Sequence, residues 1–94
     1  MKKGTVYIVT NKHNTVLYTG VTSSLRKRIY QHKTGTASQF TRSYCASKLV
    51  WFDEYPRMRD AIEAEKRIKK WKREWKLELI REFNPEFRDL YDEI

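Results

Sequence analysis

The chain has 94 residues, 39% of them hydrophobic and 34% charged, with 20 Lys and Arg against 12 Asp and Glu for a formal net charge of +8. That length allows one domain, residues 1–94, with no room for a second core, and no run is long and apolar enough to span a bilayer. The positive excess suits a polyanion, because each neutralised phosphate releases counterions; a merely cationic surface and, more weakly, an anionic membrane are the competing readings.

Cys45 is the single cysteine, which excludes an internal disulfide, and with only His13 and His32 beside it no zinc cage can be completed. It reads as a small buried hydrophobe. Met1-Lys2-Lys3 is basic like the start of a signal peptide, but the apolar run at residues 6–9 is too short for one and is followed by polar residues. The expected location is the cytoplasm.

In chain order, residues 5–10 and 15–22 are rich in β-branched and aromatic residues and flank a polar tip at 11–14, the pattern of an antiparallel hairpin. Tyr7 alternates with Val6 and Ile8, and Tyr18 shares a face with Val16. Gly20, late in the second strand, signals a bulge or a close backbone approach. Ser23 or Ser24 then caps a helix to about residue 33, with Leu25 and Ile29 as its apolar stripe and Arg28 and His32 four residues apart on one face.

Residues 34–47 lack any period and read as a long loop. Within it Phe40, Arg42 and Tyr44 mix aromatic and basic groups that can clamp a nucleic-acid strand, or simply pin the loop to the core. Residues 48–55 form a third strand. A basic helical region follows from about 57 to 84, with Met58, Ala61, Ile62 and Ile68 as one apolar face and Trp75, Leu79 and Phe83 as the next after a break near Trp71. Glu65 interrupts the first of these faces, where a carboxylate is costly unless it is paired or binds a metal; Lys69, four residues on, is its simplest partner. Lys69, Lys70, Lys72 and Arg73 belong to a dense basic stretch that is either a solvated face or a phosphate-binding one. Asn84-Pro85 stops the helix, and the tail at 85–94 offers Leu90 and Tyr91 as anchors.

These residues and spacings resemble the GIY-YIG nuclease superfamily, and in particular its small stand-alone bacterial branch. Thr5-Val6-Tyr7 stands for the first motif and Tyr18-Thr19-Gly20 for the second. Arg28 with His32, then Glu65, then Asn84, follow in the family's order. Asn84-Pro85-Glu86-Phe87-Arg88-Asp89-Leu90 is similar to the tail of that branch. The resemblance departs at the missing first glycine and at Thr19, and neither change removes a chemical group. It implies an α+β fold in β-β-α-β-α-α order, a three-stranded antiparallel sheet flanked by helices.

The chemistry implied is phosphodiester hydrolysis. Charge grows on the non-bridging oxygens in the transition state, and Arg28 is the guanidinium available to meet it. Glu65 is the well-placed carboxylate for one divalent cation, Mg²⁺ or Mn²⁺. The resemblance implies that Tyr7, helped by His32, takes the proton of the attacking water, and that Tyr18 positions water or phosphate. A tyrosine base near neutral pH needs its pKa lowered by nearby positive charge. Gly20 and Asn84 are supporting positions, and Arg42, Lys69, Lys70, Lys72 and Arg73 are candidates for contact with nucleic acid, DNA before RNA. A domain with no module for reading sequence suggests structured or damaged DNA as its substrate, and a bare catalytic domain suggests a separate targeting partner. The competing function is a non-catalytic nucleic-acid-binding protein that keeps the nuclease fold.

Overall fold

The computed structural model describes residues 2–94. Strands β1 (Gly4–Thr10) and β2 (Leu17–Thr22) form the expected hairpin. Helix α1 (Leu25–Lys33), a short helix α2 (Gln39–Ser43), strand β3 (Lys48–Tyr55), and helices α3 (Met58–Lys69) and α4 (Arg73–Phe83) follow. The three strands make one antiparallel sheet in the order β2-β1-β3. The α+β class and the three-stranded sheet are as expected, with one short helix added. Among the described residues no helix is long and apolar enough to cross a membrane.

The central strand is β1, and all seven of its residues are buried because both faces of the sheet are covered. Alternation along the strand divides its side chains between two apolar clusters, one on each face of the sheet, so this single domain holds two small cores where its length suggested one. Val6 and Ile8 pack with Val50, Trp51, Ala61, Ala64, Ile68 and Ile80 on the side of α3 and α4. Tyr7 and Val9 pack with Ile29, Ala46, Leu49 and Leu90 on the side of α1 and the tail. Each fully buried Val, Leu or Ile contributes about 1.5–3 kcal/mol relative to exposure, so a chain this small gains from using both faces of its central strand.

Strand β3 carries a bulge. Ile8 pairs with Trp51 but Val9 pairs with Leu49, which leaves Val50 as the extra residue. Val50 and Trp51 therefore both turn toward the α3 side. Asn84 locks this irregularity in place. Its Nδ2 donates to the carbonyls of Val50 (3.2 Å) and Arg88 (2.8 Å), and its Oδ1 accepts from the Arg88 amide (3.1 Å).

Several local expectations are corrected. Residues 34–47 are not all loop: Ser38 caps α2 through its side chain, which accepts from the Thr41 amide. Cys45 is exposed rather than buried, in a left-handed turn (φ 54°) that swings its side chain away from the core. Ser24 occupies the start of α1 but its side chain caps nothing; Thr22 Oγ1 instead accepts from the Ser24 amide and donates to the Ser24 carbonyl. On α3, Ile62 lies at the surface and Ala64 takes its place in the core, since residues 61, 64, 65 and 68 form the inward stripe. On α4 Leu79 packs against the core as expected, beside the buried Ile80 and Asn84, but Trp75 and Phe83 of the expected face are exposed. The break between the helices does fall at Trp71, and Leu90 is a buried anchor. The cationic groups of Arg26 and Lys33 lie over the Tyr91 ring, 5.3 and 5.1 Å from its centre.

Candidate active site

Tyr7 sits at the middle of β1 directly opposite Gly20 of β2. The phenol leans across the glycine: a Cβ at position 20 would stand 2.4 Å from the Tyr7 hydroxyl oxygen. Gly20 is thus the close approach that its place in the strand suggested, and it gives the hydroxyl a path toward the edge of the sheet.

At the end of that path His32 closes in from α1. Its Nε2 is 2.7 Å from the Tyr7 hydroxyl and its Nδ1 is 3.0 Å from Thr41 Oγ1. Thr41 Oγ1 donates to the Ser38 carbonyl (3.2 Å), and Ser38 Oγ lies 2.9 Å from the same hydroxyl. With the threonine proton directed to that carbonyl, the network assigns the Nδ1–H tautomer to His32, and Nε2 accepts from Tyr7. Sequence reasoning missed Ser38 and Thr41. The signal available was the spacing Ser38-x-x-Thr41, a helix N-cap within an apparently structureless segment.

The other predicted side chains gather around this pair. Tyr18, two residues before Gly20 on β2, places its ring 5.5 Å from the His32 imidazole, as Tyr7 does at 5.4 Å. Arg28 is half-buried and its charge reaches both Tyr7 and His32. Glu65 approaches from α3 and its charge also reaches Tyr7. One Glu65 oxygen is held by Lys69 at 2.8 Å, the partner expected four residues on, and the same ammonium lies 6.0 Å above the Tyr18 ring.

Burial dominates the electrostatics. It holds the Tyr7 phenol well above the usual tyrosine range; Tyr18 and Glu65 add to the shift, while Arg28 opposes it. Burial likewise pushes His32 down to about 4, with the Arg28 charge adding to the effect. The expectation of a lowered Tyr7 pKa is therefore reversed here. Both groups are neutral near neutral pH, joined by one hydrogen bond, and Arg28 is the one positive charge acting on Tyr7 to favour the phenolate.

Asn84 lies elsewhere, between the β3 bulge and the tail. Among the nucleic-acid candidates, Lys69 borders the cluster. Arg42 is exposed on α2, Lys70 and Lys72 are exposed at the α3–α4 break, and Arg73 donates to the Asn14 carbonyl at the hairpin tip (3.0 Å). Lys66, Arg67, Lys70 and Trp71 line a separate shallow groove along α3 with Glu63.

No three His, Cys, Asp or Glu side chains converge among the described residues. Glu65 is a single hard oxygen donor near a phenol oxygen. That donor set fits a cation that keeps most of its water and takes one carboxylate plus substrate phosphate, as Mg²⁺ does, and does not fit a closed protein cage.

The chain is similar to known proteins in sequence and, for one of them, in fold. The model of the GIY-YIG catalytic domain matches residues 3–78. A UPF0213 protein of Clostridium perfringens is 43% identical over 75 residues, covering 80% of each chain, and one of Syntrophus aciditrophicus is 37% identical over 87 residues, covering 92% of this chain and 98% of that one. The solution structure of a UPF0213 protein from Bacillus halodurans superposes with a TM-score of 0.52 at 29% identity, covering 83% of this chain and 82% of the other. With a tyrosine pair on adjacent strands, an Arg-x-x-x-His helix beside them and a glutamate on a later helix, the chain belongs to the GIY-YIG family of nuclease domains.

Proposed function

We propose that this chain is a divalent-metal-dependent endonuclease, hydrolysing phosphodiesters in nucleic acid, DNA before RNA, in the cytoplasm, with a separate partner directing it to its targets. The observation that carries the reading is the buried Tyr7–His32 hydrogen bond, with the Tyr18 ring packed on His32 and the Arg28 and Glu65 charges acting on Tyr7.

Arg28 meets the negative charge that develops on the phosphoryl oxygens. Tyr7 takes the proton of the attacking water while its own proton passes to His32 Nε2, so no free phenolate has to persist in a buried site. Thr41 holds the imidazole with Nε2 toward Tyr7. Tyr18, packed against His32, positions the phosphate. Glu65 would hold Mg²⁺ or Mn²⁺, and that ion, when bound, supplies Lewis-acid stabilisation of phosphate charge.

The deciding experiment is cleavage of single-stranded, duplex, flap and branched DNA, and of the matching RNAs, in Mg²⁺ or Mn²⁺. Wild type should cut at least one substrate, and Arg28→Ala and Glu65→Gln should each abolish the cutting. Binding without cleavage in every case would leave the non-catalytic reading in possession.

A further inference from the structure

Helix α2 is built inside out. Its hydroxyl residue Thr41 is 1% exposed and faces His32, while Phe40 and Tyr44 are 44% and 52% exposed. An apolar side chain normally turns to the core, and large aromatics contribute most of their stabilisation when buried. Here the buried side of the helix is given over to the hydrogen-bond network, and the aromatics face solvent together.

They are also ordered. The Tyr18 and Phe40 rings stack with centroids 5.9 Å apart and 30° between planes. The Phe40 and Tyr44 rings follow at 4.8 Å and 43°. The series begins one ring away from the His32 imidazole and runs outward to solvent. Arg42, two residues from each ring, leaves the helix on another side, against Gly35, whereas the Lys69 ammonium lies over the inner ring. Pinning α2 to the core requires only the contact between Phe40 and Tyr18 and leaves Tyr44 unexplained.

We infer that Phe40 and Tyr44 form a stacking platform for unpaired nucleobases beside the Tyr7–His32 pair, with Lys69, over the inner ring, as its phosphate contact. A base enclosed in a duplex stack has no free face for these rings, whereas a base in a single strand, flap or bulge does, and aromatic stacking of that kind tolerates any base. The inference rests on the nuclease reading and names its substrate class: the strand that enters the site is unpaired beside the scissile phosphate.

The test is binding of a fluorescein-labelled single-stranded oligodeoxynucleotide and of the blunt duplex of the same sequence, in EDTA so that cleavage plays no part. Wild type should prefer the single strand. Phe40→Ala and Tyr44→Ala should each weaken single-strand binding roughly 5- to 100-fold, the range of one lost base–aromatic stack, with duplex binding unchanged. Tyr44→Phe, which keeps the ring, should bind like wild type. Because Phe40 also touches Tyr18, the melting temperature of each variant is recorded, and Tyr44→Ala, farther from the core, carries the test if Phe40→Ala melts early. Equal losses on both probes, larger losses on the duplex, or no loss on either overturn the platform. A wild type that shows this binding pattern but cuts no substrate in Mg²⁺ supports the platform and overturns the nuclease reading, so the two failures are distinguishable.

Discussion

The Tyr7 hydroxyl occupies the space that a side chain on Gly20 would need, with only 2.4 Å between the hydroxyl oxygen and the position of a Cβ there. The two residues are register partners on adjacent strands, so neither can move without distorting the hairpin. Gly20→Ala should therefore displace the phenol from His32 as well as strain the sheet. Overpacking of this kind costs about 1–3 kcal/mol, which for a domain this size lowers the melting temperature by roughly 4–8 °C per kcal/mol. Cleavage per folded molecule should fall by at least the order of 10²-fold expected for losing a positioned proton acceptor. Calorimetry beside a rate measurement separates the two effects, and an unchanged rate would mean that the phenol's position does not matter.

Asn84 gives the opposite separation. Its amide donates to two carbonyls, one of them on the bulged residue Val50, and it is far from the Tyr7–His32 network in hydrogen-bond terms. Asn84→Asp turns an acceptor toward those carbonyls and should destabilise the chain by about 1–3 kcal/mol or more. The rate per folded molecule should stay near wild type. A melting curve and an active-site rate at a temperature where the variant is folded decide it, and a large rate loss in folded protein would return Asn84 to the site.

What the sequence made legible was the part that depends on local spacing. The hairpin, the Arg28–His32 helix face and the Glu65–Lys69 pair all follow from period two or period four, and each is present. Facing was legible only where one side of an element is wet. Strand β1 is buried on both sides, so alternation alone did not say which core would receive Tyr7. The facing of α4, which buries Ile80 and exposes Trp75 and Phe83, goes with Asn84 docking on the β3 bulge, a long-range contact with no local signature. The α2 segment was unreadable for a different reason: its hydroxyls face in and its aromatics face out, the reverse of the pattern by which a helix is recognised.

The His32 imidazole sets a pH dependence. Burial lowers its folded pKa to about 4 from an ordinary 6.5, so below pH 6.5 the unfolded chain binds a proton that the folded chain refuses. Stability should thus be full above pH 6.5 and fall as the pH drops toward 4, by on the order of 2–3 kcal/mol from this residue. Carboxylates also titrate in that range, so the measurement is the difference between wild type and His32→Gln in denaturant midpoints from pH 7.5 to 4. The variant should show the shallower decline. Equal slopes would mean that His32 is protonated in the folded state.

Thr41 orients His32 without touching substrate. Thr41→Val keeps the shape but leaves the Nδ1–H without its acceptor, and should cost about 1–3 kcal/mol of stability. The imidazole would then be free to present either tautomer to Tyr7, and cleavage should fall by roughly 10-fold or more while substrate affinity is unchanged. Thr41→Ser restores the hydroxyl and should recover most of the rate. A threonine that only packs would show no such split between Val and Ser.

Lys69 and the proposed cation compete for Glu65. The ammonium lies 2.8 Å from Glu65 Oε2, with the lysine side chain 50% and the glutamate side chain 11% exposed. A half-exposed pair at this spacing contributes at most about 0.5 kcal/mol to folding, so breaking it should leave the melting temperature nearly unchanged. Its removal should be visible in ligand binding instead. Lys69→Gln frees the carboxylate and removes a repelling charge, so Mn²⁺ affinity, followed by the ion's paramagnetic signal, should rise. The same change removes one phosphate contact and should flatten the salt dependence of single-strand binding by about 0.7 in the log–log slope. Glu65→Gln should lose the ion altogether and leave that slope alone. If both variants bind Mn²⁺ as wild type does, Glu65 is a structural partner of Lys69, and the cation, if the reaction uses one, is held by other groups.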